Sequence, residues 1–173
     1  PGGGGGPITL YHLTTHTSGL PRIPDNCAPA DLNNPYANYS VKCLYDYLSA
    51  HELARAPGEA VEYSNLAVGL LGHILAEVSG IDYESLVKER ITGPLDMGDT
   101  AITLSTDMRA RLAAGHSFGL SPGGSLVPAA NWDIPTLAGA GGLRSTVNDL
   151  LRFVAANLGL TATELAPAMA NTH

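Results

Sequence analysis

Residues 57–80 read PGEAVEYSNLAVGLLGHILAEVSG, and the part from Ser64 onward decides the fold. Its apolar residues Leu66, Leu70, Leu71, Ile74, Leu75 and Val78 recur at the three- and four-residue spacing of a broad helix stripe. Ser64 is a helix-capping side chain at the start, and Gly80 stands where a left-handed C-terminal residue is wanted. Pro57-Gly58 closes what precedes. The longest mainly apolar run, Leu66 to Ala76, already carries His73 and is far short of the ~20 residues that a membrane span needs. The stretch therefore predicts a core helix and no membrane span.

Working outward, the same period recurs on both sides. Upstream, Thr9 caps a short helix with Leu10 and Leu13 on one face, stopped by Gly19 and Pro21. The proline- and asparagine-rich residues 20–39 read as a loop, long enough to be functional or packed upon itself. Ser40 then caps a helix with Val41, Leu44, Tyr45 and Leu48 at helical spacing. Downstream, Asp82 opens a helix with Tyr83, Leu86, Val87 and Ile91 inward, ended by Gly93-Pro94. His116–Leu120 and Ser125–Val127 flank SPGG and predict one small β-hairpin. In the segment 145–159, Thr146 and Asp149 have capping-box spacing, Val147, Leu150, Leu151, Val154 and Leu158 line one face, and Gly159 ends it. A last helical pattern enters at Pro167 and runs to His173 with no stop signal, as if cut inside an element. Residues 1–7, five glycines between two prolines, form a flexible segment; residues 8–173 form one mainly helical domain, which reads as truncated at both ends.

Composition narrows the function classes. Nine Lys and Arg against sixteen Asp and Glu give a net charge of −7, which opposes docking on phosphate backbones and argues against nucleic-acid binding. The N-terminus has neither the basic nor the apolar region of a signal peptide, so compartment is unknown from the sequence. Two cysteines, Cys27 and Cys43, exclude a disulfide framework or a four-ligand zinc site. Two unpaired, partly buried thiols are the favoured reading, with a single bridge as the alternative.

Five local patterns bear on chemistry. Gly115–Gly119, GHSFG, matches the G-x-S-x-G nucleophile elbow, which would make Ser117 the serine of an esterase; the sequence around it lacks the strand-turn-helix context. Ser85 and Lys88 match S-x-x-K, but Glu84 and Glu89 flank a lysine that should stay charged and solvated. His12 and His16 stand four apart, a metal-ligand spacing with no third ligand, so capping and hydrogen bonding explain them better. His73 and Glu77 form an i, i+4 pair that needs no catalytic role. Tyr63-Ser64-Asn65 opens the strongest helix: Tyr63 sits in the positive field of the helix start, and Asn65 on the first turn can aim its amide into a cleft. The alternative is that Ser64 caps, Tyr63 packs and Asn65 faces water.

ITLYHLTTHTSGLP, PGEAVEYSNLAVGLLGHILAEVSG, YESLVKERITGPLDMGDT and AGAGGLRSTVNDLLRF, in that order and spacing, resemble the class C β-lactamase-like serine hydrolases, a family of β-lactamases, penicillin-binding D-alanyl-D-alanine peptidases and esterases. The resemblance runs from Ile8 to His173. It implies the helical domain of a serine β-lactamase or penicillin-binding-protein-like α+β fold. Such enzymes use a serine and lysine in S-x-x-K, a Tyr-x-Asn triplet, and a Lys-Thr-Gly or His-x-Gly strand; this chain matches only the second. The resemblance makes Tyr63 the general acid or base and Asn65 a ligand of a substrate amide. The first motif would lie before the segment matched at Ile8 and the third beyond the last residue here, while HTSG, His16–Gly19, aligns with a structural helix end. The implied partners are a small-molecule or peptide acyl substrate and the remaining α/β portion of the same parent protein, with no cofactor and no metal. Many relatives are periplasmic or secreted. A tyrosine needs neighbouring ammonium groups to act as a base at neutral pH. The chain alone is therefore expected to be inactive, and a catalytically silent binding or structural domain is the alternative.

Overall fold

The computed structural model describes residues 6–118 and 124–172, so most of the N-terminal glycine run, the centre of the expected hairpin turn and His173 lie outside the described residues. The chain divides into two compact units. One takes in the described residues of Pro1–Ile74 and Leu112–Gly142, the other those of Leu75–Arg111 and Leu143–His173. Among the described residues the architecture is mainly helical with one two-stranded sheet.

In the first unit, α1 (Leu10–Thr14) starts in a complete capping box: Thr9 Oγ1 accepts the His12 N–H at 3.3 Å, and His12 Nδ1 accepts the Thr9 N–H at 3.2 Å. The helix stops at Thr15 and the chain turns at His16, in the left-handed region at φ 57°. That is earlier than the stop expected at Gly19, because a histidine supplies the conformation that was assigned to glycine. Only Leu13 of the expected pair is buried; Leu10 is exposed. α2 (Val41–Ala50) begins where Ser40 Oγ accepts the Cys43 N–H at 3.2 Å. It buries Leu44 and Tyr47, leaving Val41 and Tyr45 outside. Tyr45 instead bonds His73 Nε2 of α3 (Asn65–Ser79) through its hydroxyl, at 2.8 Å.

The loop 20–39 is closed onto α2 by a Cys27–Cys43 disulfide, which corrects the expectation of two thiols. Asn26 donates to the Cys43 carbonyl at 2.8 Å and accepts from the Tyr39 hydroxyl, bringing the two Cα atoms to 6.2 Å, within bridging range. No feature of the intervening sequence announces that approach. The first half of α3 carries the core with Leu66, Ala67 and Leu70, packed with Leu13, Leu20, Tyr39, Leu44 and Leu137. Gly69 is required there: a Cβ would stand 2.7 Å from the Leu137 side chain. At the short 3₁₀ turn Ala138–Ala140, a Cβ on Gly139 would meet the Val68 carbonyl oxygen at 2.8 Å. The hairpin pairs β1 (Gly115–Phe118) antiparallel with β2 (Leu126–Ala129), Gly115 opposite Ala129 and Phe118 opposite Leu126.

In the second unit, the far end of α3 leaves Leu75 and Val78 exposed, contrary to the expected stripe, and Gly80 closes the helix at φ 72° as expected. α4 (Tyr83–Val87) is capped by Asp82 and runs into a π-helical turn, Lys88–Thr92, closed by the Gly93 N–H on the Lys88 carbonyl at 2.8 Å. The wider turn rotates the face by one residue, so Thr92 is buried and Ile91, expected inward, is exposed. The short α5 (Thr106–Ala110) follows, and Ala101 bridges to Arg144.

α6 (Val147–Asn157) departs most from expectation. Thr146 Oγ1 accepts the Asp149 N–H, but the reciprocal half of the capping box does not form. The Asp149 side chain, 2% exposed, takes the Asp99 N–H at 2.8 Å, the Thr100 hydroxyl at 2.9 Å and the Arg152 guanidinium at 2.8 Å. The expected inward face, Val147, Leu150, Leu151, Val154 and Leu158, is exposed throughout. A small core of Leu95, Met97, Ala156 and Met169 lies elsewhere, the last residue from α7 (Ala166–Ala170), which ends before the expected His173.

Candidate functional site

The residues before and at the start of α3 are held by the backbone of Ser64 and Asn65 and by the Ser64 hydroxyl. Ser64 Oγ accepts the Ala67 N–H at 2.9 Å as the helix cap, and its hydroxyl proton goes to the Pro21 carbonyl at 2.6 Å. Ser64 is fully buried. The N–H groups of Asn65 and Leu66, which a helix start leaves without intrahelical partners, both reach the Arg22 carbonyl, at 2.9 and 3.2 Å. Residues 20–22 of the long loop thus form the floor beneath the helix start.

The other side is held by the turn after α1. The Glu62 N–H donates to the His16 carbonyl at 2.8 Å, the Ser64 N–H to His16 Nδ1 at 3.1 Å, and the Gly58 N–H to the Thr17 carbonyl at 2.7 Å. The His16 imidazole lies against the Tyr63 ring, centroids 4.6 Å apart and planes 38° apart. The Arg22 guanidinium faces that ring at 6.0 Å, the outer limit of a cation–π contact. Arg55, whose guanidinium pairs with the Glu62 carboxylate, packs its carbonyl against Gly19, where a Cβ would approach to 3.0 Å.

Tyr63 itself is 58% exposed and Asn65 is half-buried. Among the described residues, neither the Tyr63 hydroxyl nor the Asn65 amide enters a hydrogen bond. The backbone of this segment is fixed while two polar ends, a phenol and a carboxamide, remain available to a ligand. That arrangement fits proton transfer by Tyr63 and amide recognition by Asn65. Ser64 is a buried cap, while Tyr63 neither packs into the core nor floats in solvent.

The competing patterns are engaged elsewhere. Ser85 donates its hydroxyl to Asp82 Oδ2 at 2.6 Å and its N–H to Asp82 Oδ1 at 2.9 Å, so the S-x-x-K serine is tied into a cap. Those two bonds lower the Asp82 carboxyl below its ordinary range, the Ser85 hydroxyl contributing most. Ser117 is an exposed residue within β1 opposite Val127, not at a strand-to-helix turn, and Gly119 of that motif lies outside the described residues. His12 caps α1 and His16 lies beyond the helix, so the two imidazoles do not share a helix face. Among the described residues, no group of three or more His, Cys, Asp or Glu side chains is gathered to hold a metal, and no single helix is long and apolar enough to cross a membrane. Sequence reading missed His16 and Arg22 as neighbours of Tyr63. Their sequence separations of 48 from His16 to Ser64 and 43 from Pro21 to Ser64 carry no periodic signal.

A family model described as Beta-lactamase matches residues 1–173. D-alanyl-D-alanine-carboxypeptidase/endopeptidase AmpH of Escherichia coli (strain K12) is 39% identical over 151 residues, which cover 87% of this chain and 36% of that protein. The chain thus spans about a third of the length of that relative. Among solved structures, a beta-lactamase/D-alanine carboxypeptidase from Pseudomonas syringae superposes with a TM-score of 0.73 at 26% identity, covering 94% of this chain and 42% of that one. D-alanine carboxypeptidase AmpC from Burkholderia cenocepacia does so with a TM-score of 0.70 at 30% identity, covering 96% and 42%.

Proposed function

This chain belongs to the Beta-lactamase family, and from that premise we propose that it carries the Tyr-x-Asn limb of a serine hydrolase that cleaves a β-lactam, a D-Ala-D-Ala peptide or a simple ester through an acyl-serine. Tyr63 moves the proton between the serine, the leaving group and water, and Asn65 holds the substrate amide. The serine with its lysine, and the strand that completes the site, come from sequence on either side of these residues. The observation that carries this reading is the pairing of a fixed backbone with two available polar ends at Tyr63 and Asn65. With one motif of three, these 173 residues by themselves have no turnover. The open apolar face of α6 is consistent with cover by the α/β portion of the parent protein.

The test is Tyr63→Phe in the full-length protein, assayed on nitrocefin, a D-Ala-D-Ala peptide and p-nitrophenyl acetate. Removal of one hydroxyl with the ring retained should cost roughly 10²–10⁴ in rate with little change in stability. Asn65→Ala should weaken substrate handling by about 1–3 kcal/mol. Full activity in Tyr63→Phe together with complete loss in Ser117→Ala would replace this reading with the G-x-S-x-G esterase.

A further inference from the structure

Tyr63 precedes the helix, so the hydrogen-bond ladder of α3 does not set its position. One residue does so from a distant part of the chain. The His16 carbonyl accepts the N–H of Glu62, its Nδ1 accepts the N–H of Ser64, and its ring lies on the ring of the residue between them. The carbonyl contact is open to any residue, but the other two need something particular of His16. The Ser64 bond needs an unprotonated Nδ1, which places any ring proton of the neutral imidazole on Nε2. The approach of carbonyl and ring to the same three residues is made from a backbone at φ 57°, where non-glycine residues are uncommon and histidine is, with Asn and Asp, among the few that are enriched.

We propose that His16 is a positioning residue for Tyr63, its neutral imidazole accepting the Ser64 N–H so that the phenol is presented at a fixed place for proton transfer. The proposal rests on the assignment of Tyr63 as the proton-transfer group, and goes beyond it by adding a residue that acts through Tyr63 without touching substrate. It also accounts for the histidine where the chain needs only a left-handed turn. Glycine would serve the turn as well, but it has neither acceptor nor ring.

Two variants in the full-length protein separate the turn from the acceptor. His16→Gly keeps the backbone conformation and removes the acceptor. His16→Asn tolerates the same conformation and places Oδ1 near the position of Nδ1, without the ring. Two readouts are taken on each: amide hydrogen exchange at Ser64, and kcat and KM on p-nitrophenyl acetate. In His16→Gly, Ser64 exchange should accelerate about tenfold or more, and kcat should fall roughly 10- to 100-fold with KM within about twofold, since misplacement of a catalytic group by ~1 Å can cost 10²-fold. In His16→Asn, Ser64 protection should return and kcat should recover to within about threefold of the parent. Wild-type exchange and kcat in His16→Gly overturn the proposal, and so does a His16→Asn variant that restores neither. If Tyr63→Phe retains full activity, the assignment of Tyr63 fails instead. The clasp on Ser64 is then judged by the exchange data alone.

Discussion

The start of α3 and the outer face of α6 both expose side chains that the sequence could have placed inside, for opposite reasons. At the start of α3 the unpaired polar ends are those of the exposed Tyr63 and the half-buried Asn65, while the N–H groups of Glu62, Ser64, Asn65 and Leu66 around them are paired with His16 and Arg22. Along α6 the exposed groups are Val147, Leu150, Leu151, Val154 and Leu158, while the buried anchor is the carboxylate of Asp149. An exposed polar group over a rigid backbone marks a place where a ligand is handled. An exposed apolar row over a polar anchor marks a surface that asks for cover. The comparison predicts that the two regions respond differently to truncation.

The largest loss of stability should come from the anchor. Asp149→Ala leaves the Asp99 N–H and Thr100 hydroxyl without their acceptor and Arg152 without its nearer carboxylate. Leaving these two donors unpaired costs about 1–3 kcal/mol each, about 2–6 kcal/mol together, while the half-exposed Arg152 is re-solvated. Chemical denaturation of the variant should show a loss of that size. A loss below about 1 kcal/mol would mean that solvent already reaches the carboxylate, and α6 would then have no polar anchor to set against its open face.

Next in size is the disulfide. Cys27 and Cys43 are 16 residues apart in sequence, and a closed loop of that length is worth about 3 kcal/mol in the chain-entropy account. The double variant Cys27→Ala/Cys43→Ala should lower stability by about that amount, with the loop ahead of Cys27 becoming more open to proteolysis. Arg22, whose carbonyl supports Asn65 and Leu66, lies only five residues before Cys27. If the floor beneath the helix start depends on this clip, Ser64 and Asn65 amides should exchange faster in the double variant. Unchanged exchange there would show that Pro21 and Arg22 are held by α3 alone.

A smaller effect separates the units by pH. Burial raises the Glu84 carboxyl, but its hydrogen bonds from Thr103 and the Ile102 N–H outweigh this and hold it below its ordinary value. Asp82 is lowered too, by Ser85. A carboxyl whose folded pKa lies below its unfolded one contributes stability above the unfolded value, about 4.3 for Glu. That stability is lost as pH falls through the lower, folded value. Glu84→Gln keeps an acceptor and removes the charge. It should cost about 1 kcal/mol near pH 7, discounted for partial exposure, and the difference from the parent should shrink steadily in urea melts below about pH 4. A difference that stays constant down to pH 2 would remove the charge from the explanation.

What could be read in advance follows the same division. The caps at Thr9, Ser40, Ser64 and Asp82 and the glycine stops at Gly80 and Gly159 are local events, decided within four residues, and all are found where the sequence placed them. The mainly helical fold with its one hairpin follows from them. The π-helical turn at Lys88–Thr92 was not legible, because one added residue per turn leaves no mark in an apolar count but moves Thr92 inside and Ile91 out. The stripe of α6 was legible as a stripe, yet periodicity reports that a face is apolar and not where its partner lies. Asp149 has the spacing of the second member of a capping box with Thr146, although its carboxylate is taken by Asp99 and Thr100, about fifty residues upstream. At the candidate site, Tyr63 and Asn65 were named from resemblance and helix context. His16 reads as a capping or hydrogen-bonding histidine at a helix end rather than a metal ligand, since nothing in HTSG shows that its ring will meet a residue 47 positions later.

The smallest expected effect is the sharpest check on the open face. Leu151 is 60% exposed and Leu44 is fully buried, although both are leucines at helical spacing in their respective helices. Leu44→Ala should cost about 2–5 kcal/mol, the lost transfer energy of a core side chain plus the cavity it leaves. Leu151→Ser should change the stability of these 173 residues by no more than about 0.5 kcal/mol, because little apolar area leaves the interior. The two variants, melted at low and tenfold higher protein concentration, distinguish a solvated face from one covered by a second copy. A loss above about 2 kcal/mol in Leu151→Ser that grows with concentration would mean that copies of the chain bury this face against each other. The apolar row would then be an interface already in use, while the same loss without concentration dependence would put Leu151 inside the fold and undo the contrast with Tyr63.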